Sequence, residues 1–311
     1  MATSESLQVG GHPDIVQSHP SDETKIMKRA CPREVEFYED LVHQLDAVHS
    51  PSIWSGWRPV FYGRQPPEKE SSTDEVFIVL ENLVPICTNP TLRTGFTHPN
   101  VLDIKLGKQL YDNDASEEKK ERMTRTAAET TSARFGIRLT GGKVWNNDTR
   151  AYETLPKTFG KSLDPQGSDL KAGFSRFFPI ALPDGETLQG NQYSSRLTVS
   201  PGGIPAILMA RLLEDVLLPR FNRLSNHVSR FEWQVYGSSL LVVYEGDSEA
   251  LSRAFEGDNI TEDRFLGIVK LIDFAHAWKA QQPDAGLLDA FDTLSNLLRG
   301  MIKDLSQLAN E

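Results

Sequence analysis

Apolar and polar side chains alternate along Pro99–Gly107, which is the pattern of a β-strand with one face in a protein core. Gly107 tolerates a sharp change of chain direction, so we expect the strand to end there. The face predicted to enter the core carries Leu102, Ile104 and Leu106. The opposite face carries Val101, Asp103 and Lys105. An acid and a base are therefore predicted to lie side by side on one strand.

Other apolar runs predict further strands. The continuous run Val76–Leu80 is typical of a buried strand, and 265–272 is a second apolar run of similar length. Gly141-Gly142 is predicted to be a turn between two strands, 135–139 and 143–145.

Helical spacing predicts the remaining elements. Pro32 suits the first turn of a helix, and Glu34 suits its positive end. Apolar residues repeat along this helix at Phe37, Leu41 and Leu45. A second helix is expected from about Ser116 to Thr131, because Ser116 is a good N-cap. Two more are predicted at 205–218, which is apolar almost all round, and at 289–308, which has one apolar stripe.

Composition narrows the class of protein. The chain has 311 residues, of which 39% are hydrophobic and 24% charged, so a sizeable core can form. The net charge of −10 is the wrong sign for a general nucleic-acid binder. The two cysteines, Cys31 and Cys87, lack metal or redox spacing. No apolar run is long enough to span a bilayer, and the first residues lack a signal-peptide pattern. We therefore expect an intracellular protein that does not bind nucleic acid directly.

The Asp103–Lys105 pair has two interpretations on spacing alone. A carboxylate beside an ammonium can orient a hydroxyl nucleophile and stabilise developing negative charge, which phosphoryl transfer requires. On spacing alone an ion pair on a sheet surface is the more common arrangement, and such pairs contribute little to stability.

Four motifs, in order, resemble those of the inositol polyphosphate kinase family. Pro99, Asp103, Lys105 and Gly107 match its P-x-x-x-D-x-K-x-G signature. Lys28 followed by the 32–38 stretch, the Ser-Ser-Leu-Leu run at 238–241, and Ile-Asp-Phe-Ala-His at 272–276 are the other three. The sequence around Asp103 is most similar to that of the multikinase branch of the family, in its fungal form.

The resemblance implies an α+β, two-lobed, protein-kinase-like fold. Residues 1–84 would form the N-terminal lobe, an antiparallel sheet with one helix that carries the ATP lysine. Residues 85–311 would form the C-terminal lobe, with an inositol-phosphate-binding helical segment at about 114–135. A Gly-containing turn, for which Gly10-Gly11-His12 is the candidate, would cover the nucleotide.

The resemblance also implies the site residues for ATP and Mg²⁺. Lys28 and Glu34 would pair as in kinases, with Asp273 holding the metal and backbone groups of Glu81 and Leu83 contacting adenine. The complete set implied for ATP is Lys28, Glu34, Glu81, Leu83, Asp103, Ser238, Ser239 and Asp273. Without the resemblance, Lys28 would be interpreted as a solvated lysine.

For the acceptor, the resemblance implies that Asp103 and Lys105 are catalytic and that a set of cations binds the inositol phosphate. The substrate set is Lys105, Lys119, Arg122, Arg125, Lys161 and His276. On charge pattern alone, Lys119, Arg122 and Arg125 also fit one face of a solvated helix, since Glu117, Glu118 and Glu121 partly offset them.

The implied activity is ATP-dependent phosphorylation of inositol 1,4,5-trisphosphate to tetrakis- and pentakisphosphate. A trisphosphate 3-kinase, a hexakisphosphate kinase and a non-catalytic transcription-regulatory scaffold of the same fold remain open. The resemblance also leaves phosphoinositide headgroups and transcription factors open as partners. It places the protein in the nucleus, the cytoplasm or both.

Overall fold

The structure, a computed structural model, describes residues 15–45, 56–65, 76–87, 94–183, 193, 195–257 and 265–308. The Gly10-Gly11-His12 stretch lies outside these residues. The strands are β1 (Val16–Ser18), β2 (Lys25–Ala30), β3 (Phe61–Gln65), β4 (Val76–Glu81), β5 (Pro99–Leu106), β6 (Ile137–Asn146), β7 (Ala151–Leu155), β8 (Ile180–Ala181), β9 (Ile204–Pro205), β10 (Trp233–Val235), β11 (Ser239–Glu245), β12 (Gly267–Ile272) and β13 (Ala277–Lys279). The helices are α1 (Pro32–Leu45), α2 (Glu117–Ala128), α3 (Ser132–Phe135), α4 (Phe159–Ser162), α5 (Leu170–Ser175), α6 (Ala206–Arg211), α7 (Leu218–Val228), α8 (Ser248–Phe255) and α9 (Ala285–Leu308), with a π-helical stretch, Leu212–Leu217, between α6 and α7.

Two antiparallel sheets dominate the fold. The first has four strands in the order β1-β2-β4-β3, and the second has five in the order β12-β11-β5-β6-β7. The lobe boundary that we place after residue 84 falls between β4, the last strand of the first sheet, and β5, the first strand of the second.

Helix α1 begins at Pro32, as its sequence predicts, and packs against β2 and β3 of the first sheet and against β13. The buried Phe37 ring of α1 stacks on Phe274, which follows β12, with centroids 4.2 Å apart. Glu34 in the first turn of α1 is therefore held next to the segment that carries Asp273.

Strand β5 lies in the middle of the second sheet, between β11 and β6. Leu102, Ile104 and Leu106 enter the main core, which confirms the predicted core face. The opposite face is buried as well: Val101 is 2% exposed and Asp103 is 4% exposed. The carboxylate is thus removed from water rather than displayed on a sheet surface.

The predicted turn at Gly141-Gly142 is wrong, because β6 runs without interruption from Ile137 to Asn146. The two glycines serve close packing instead. A Cβ atom on Gly142 would lie 2.5 Å from the carbonyl oxygen of Val101. The pairing of β5 with β6 also shifts register after Asp103, so a bulge lies beside the catalytic candidate.

The predicted helices are confirmed with small shifts at their ends. The 205–218 helix continues through the π-helical stretch to Val228, and the terminal helix begins at Ala285 rather than at 289. The helix expected at 116–131 spans Glu117–Ala128, with Ser116 as its N-cap. None of the described helices combines the length and apolar content needed to cross a membrane.

Candidate active site

Asp103 lies on β5 opposite Leu241 of β11, in a largely buried setting. Burial, reinforced by the charge of Asp273, raises the pKa of Asp103 from 3.8 to about 6, although Lys105, Ser239 and Lys157 act in the opposite direction. Its Oδ1 atom is buried and has no hydrogen-bond partner among the described residues. A carboxylate with these properties can accept a proton near neutral pH.

Lys28 of β2 connects two carboxylates from different parts of the chain. Its Nζ atom lies 2.7 Å from Glu34 Oε1 and 2.8 Å from Asp273 Oδ1. Burial on its own lowers the pKa of Lys28, but Asp273 and Glu34 outweigh it and the pKa is raised. The lysine is therefore a fixed positive charge, placed by α1 and by the segment after β12.

Asp273 has an unusual backbone conformation. Its φ angle is +65°, in the left-handed region that non-glycine residues rarely adopt. The conformation is held by neighbours, since the Phe274 amide donates to Glu34 Oε1 at 3.2 Å and the Phe274 side chain is fully buried. Burial on its own raises the pKa of Asp273, but Lys28 and Lys105 hold it below its usual range. Asp273 is therefore an ionised oxygen donor.

The two serines predicted for ATP lie at the start of β11. Ser239 is directly opposite Lys105 in the β11–β5 pairing, and the Ser238 carbonyl accepts from the Leu106 amide at 2.9 Å. Both serines are buried, and Ser238 Oγ has no partner within the described part of the chain. The start of β11 therefore lies beside Lys105 and Leu106 of β5.

Glu81 and Leu83 occupy the segment that leaves the first sheet. The Glu81 carboxylate forms a buried ion pair with Lys270 of β12, with Nζ and Oε2 2.5 Å apart. Leu83 packs in an apolar cluster with Phe96, Val101, Leu241, Val243 and Ile268. The Leu83 amide has no hydrogen-bond partner in the described ranges. An apolar wall beside an available backbone donor is suited to a flat heterocycle.

Four of the predicted phosphate-binding cations lie on two helices, α2 and α4. Lys119 is half-buried on α2, whereas Arg122 and Arg125 are exposed on the same helix. Lys161 is exposed on α4. None of these four side chains has an ion pair or hydrogen bond with another described residue. These side chains are therefore free to contact a ligand.

Two cations that sequence reasoning missed do act on Asp103. Arg138 of β6 lies opposite Lys105, so its side chain shares the face of Asp103. Burial lowers the pKa of Arg138 and the Asp103 charge opposes this, while its Nη1 atom is buried without a hydrogen-bond partner among the described residues. Lys157, which follows β7, helps to lower the pKa of Asp103. Apolar Ile137 and Leu139 flank Arg138, and this strand-like alternation could have identified the arginine as a side chain on the opposite face from the two apolar residues.

His276 makes a contact that its sequence motif does not indicate. Its Nδ1 atom lies 2.6 Å from Oδ2 of Asp112, a residue between β5 and α2. One nitrogen of the ring is therefore engaged by protein, and the other has no partner among the described residues.

The carboxylates of Asp273 and Asp103 are compatible with a divalent cation that is bound together with a nucleotide. No group of three or more metal-ligating side chains is present among the described residues. Asp273 is nevertheless ionised and close enough to Asp103 to raise its pKa. Mg²⁺ is usually held in kinases by one or two carboxylates together with substrate phosphates and water. Asp273 fits that role, with Asp103 as a neighbouring oxygen donor.

Comparisons with known proteins agree on one family. A sequence model of the family "Inositol polyphosphate kinase" matches residues 77–299. Inositol polyphosphate multikinase of Saccharomyces cerevisiae is 28% identical over 268 residues, covering 78% of this chain and 72% of the yeast protein. Inositol hexakisphosphate kinase 3 of Mus musculus is 28% identical over 233 residues, covering 72% of this chain and 50% of the mouse protein. The chain thus spans about half the length of that relative.

Solved structures agree with the fold. A crystal structure of inositol phosphate multikinase from S. cerevisiae in complex with ADP and Mn²⁺ superposes with a TM-score of 0.65 and 27% identity, covering 90% of this chain and 99% of that one. A second inositol phosphate multikinase structure has a TM-score of 0.54 at 21% identity, covering 86% of this chain and 99% of that one, and supports the fold alone. The α+β, two-lobed fold inferred from sequence is confirmed.

Proposed function

The chain belongs to the inositol polyphosphate kinase family, and we propose that it transfers the γ-phosphate of ATP to hydroxyl groups of inositol polyphosphates. The proposed substrate is inositol 1,4,5-trisphosphate, converted to tetrakis- and then pentakisphosphate. The observation that carries the proposal is the buried Asp103 carboxylate, with a pKa raised to about 6, electrostatically coupled to the Lys28–Asp273 pair. A proton acceptor and a phosphate-binding pair are what a phosphoryl transfer to an alcohol requires.

Each residue then has a defined part in the reaction. Lys28, held by Glu34, positions the ATP phosphates. When bound, a divalent cation such as Mg²⁺ neutralises charge on those phosphates, and Asp273 would hold it. Asp103 orients the attacking hydroxyl and accepts its proton at a carboxylate oxygen. Lys105 neutralises charge that develops on the transferred group.

The acceptor phosphates require cations on the Asp103 side of the site. Arg138 and Lys157 supply them next to the reacting hydroxyl, because both interact with Asp103. His276 and the α2 cations Lys119 and Arg122 would bind more distant phosphates, with Arg125 and Lys161 at the edge. A charge-neutralising cluster of this kind can operate within a protein of net charge −10 because the cations are local.

Product analysis tests the proposal directly. The purified protein is incubated with Mg-ATP and inositol 1,4,5-trisphosphate, and the products are resolved by anion-exchange chromatography. We expect a tetrakisphosphate first and a pentakisphosphate later. Accumulation of one tetrakisphosphate alone would identify a more selective trisphosphate kinase. ATP binding without any product would support the scaffold function instead.

A hexakisphosphate kinase is the second candidate, favoured by the similarity to the mouse hexakisphosphate kinase. The same assay with inositol hexakisphosphate as acceptor distinguishes the two, since its product elutes later than the hexakisphosphate itself. A phosphoinositide presented in mixed micelles extends the assay to lipid headgroups that carry the same phosphates.

A further inference from the structure

Asp112 is a buried carboxylate that the proposed chemistry does not yet use. It lies in the loop between β5 and α2, 4% exposed, and its Oδ2 atom is 2.6 Å from Nδ1 of His276. The two residues are 164 positions apart in the chain. The contact joins the loop before α2 to the segment that carries Asp273.

The contact determines what the imidazole can offer to a ligand. A carboxylate only accepts hydrogen bonds, so the Nδ1 atom facing it carries the proton. Asp112 then sets the tautomer and the plane of the ring, as carboxylates that accept from one ring nitrogen do for functional histidines. Nε2 is the nitrogen left for substrate: it donates to a phosphate when the ring is doubly protonated and accepts when the ring is neutral.

A second set of contacts holds Asp112 in place. Arg33 of α1 lies 3.4 Å from Asp112 Oδ2 through Nη1, and 3.4 Å from Asp114 Oδ2 through Nη2. The guanidinium also stacks over the Trp278 ring, with Cζ 3.4 Å from its centroid. The carboxylate thus contacts both Arg33 of α1 and His276, and Arg33 is itself held against Trp278 of β13.

We propose that Asp112 is a positioning residue for substrate binding, acting through His276. The proposal rests on the proposed function, because it takes the ligand of Nε2 to be a phosphate of the inositol acceptor. Asp112 touches neither nucleotide nor acceptor; it fixes the imidazole so that Nε2 points towards the acceptor.

The first test compares two neighbouring carboxylates. Asp112→Asn removes the charge that faces His276, whereas Asp114→Asn removes a carboxylate that shares Arg33 but is 64% exposed and has no contact with the imidazole. We expect Asp112→Asn to raise KM for the inositol phosphate by about 10- to 100-fold, with KM for ATP changed less than twofold. Asp114→Asn is expected to leave both constants near wild type. Equal behaviour of the two variants would overturn the proposal.

The second test removes the ring nitrogen that faces Asp112. His276→Gln places an amide near the Nε2 position and leaves no group at the Nδ1 position. In the His276→Gln background, Asp112→Asn should have no further effect on KM, because the ring through which Asp112 acts is gone. A loss as large as in the wild-type background would mean that Asp112 acts on the loop and not through the imidazole.

The third readout does not depend on activity. The ¹⁵N–¹H spectrum of the histidine rings, with His276 assigned by its loss in His276→Gln, should show a protonated Nδ1 in the wild type at neutral pH. The Nδ1 proton should be lost or exchange faster in Asp112→Asn. Protonation of Nε2 alone in the wild type would refute the positioning role. A protein with this Nδ1 signal but no inositol kinase activity would refute the proposed function while leaving the Asp112–His276 arrangement established.

Discussion

Asp103 and Asp273 lie close enough for the charge of Asp273 to raise the pKa of Asp103. Their surroundings nevertheless shift the two pKa values in opposite directions. Burial raises the pKa of Asp103 to about 6, and Asp273 adds to this. Asp273 is also subject to burial, but Lys28 and Lys105 keep its pKa below the usual range. One carboxylate can therefore exchange a proton near neutral pH while the other stays ionised as a ligand. Such a division is typical of acid–base sites.

Asp103→Asn should abolish transfer to the inositol phosphate. The amide keeps the size of the side chain but cannot accept the hydroxyl proton, and general-base contributions are about 100- to 10,000-fold. We expect kcat to fall by at least about 100-fold with KM for ATP little changed. Product formation by anion-exchange chromatography measures the loss.

The control for Asp103→Asn is a measurement that shows that the variant is folded. Circular dichroism and thermal unfolding of Asp103→Asn should match the wild type or show a higher Tm, because a poorly hydrogen-bonded buried carboxylate has been removed. A folded Asp103→Asn protein with near wild-type turnover would rule out the base assignment.

The raised pKa of Asp103 also predicts a pH dependence of stability. An acid whose pKa is raised by folding destabilises the native state when ionised; the penalty is absent below the ordinary value of 3.8 and complete above about 6. Its full size is on the order of 3 kcal/mol. The advantage of Asp103→Asn over wild type in free energy of unfolding should thus grow by about 1–2 kcal/mol between pH 5 and pH 8. Urea titrations of both proteins at the two pH values measure it, and a constant difference would contradict a raised pKa.

Much of the fold could be predicted because its signals are local. Alternation along Pro99–Gly107 identified β5 and its core face, and Pro32 with Glu34 marked the start of α1. Family resemblance then selected Lys28 and Glu34 as a pair and Asp273 as the metal ligand. The pairing itself, with one ammonium between Glu34 and Asp273, depends on how α1 packs and on the left-handed backbone at Asp273. No local pattern encodes these contacts.

Other parts of the site could not be predicted because they depend on strand register and distant contacts. The interpretation of Gly141-Gly142 as a turn divided β6, so Arg138 was not placed opposite Lys105. Gly142 is required by the close approach of Val101 and Phe177, which the sequence does not reveal. Asp112 and His276 are likewise joined only by tertiary packing.

Lys28→Met should impair both stability and ATP use. Glu34 is 2% exposed, so loss of the lysine leaves a buried carboxylate without its cation. Breaking a buried pair in this way typically costs about 3–5 kcal/mol. Denaturant titration should show a loss of that order, and KM for ATP should rise.

A second substitution separates the two effects of Lys28→Met. In Lys28→Met/Glu34→Gln the buried charge is removed together with its partner, so part of the lost stability should return. Turnover should remain low, because no ammonium is left to hold the phosphates. Recovery of activity in the double variant would contradict the ATP role of Lys28.

Arg138→Gln should weaken acceptor binding without weakening the fold. Arg138 is a half-buried cation on the Asp103 face, with Nη1 unpaired among the described residues, which is a costly arrangement unless a ligand supplies the partner. Loss of a hydrogen bond to a phosphate should raise KM for the inositol phosphate about 10- to 100-fold, with KM for ATP nearly constant. The matched control is Arg253→Gln, which removes an exposed arginine from an i,i+4 pair with Glu249 on α8 and should change neither KM. The Tm of Arg138→Gln should equal or exceed that of the wild type, since an incompletely bonded charge is removed. A falling Tm with unchanged KM would make Arg138 a structural residue and leave the acceptor phosphates to Lys157, His276 and α2.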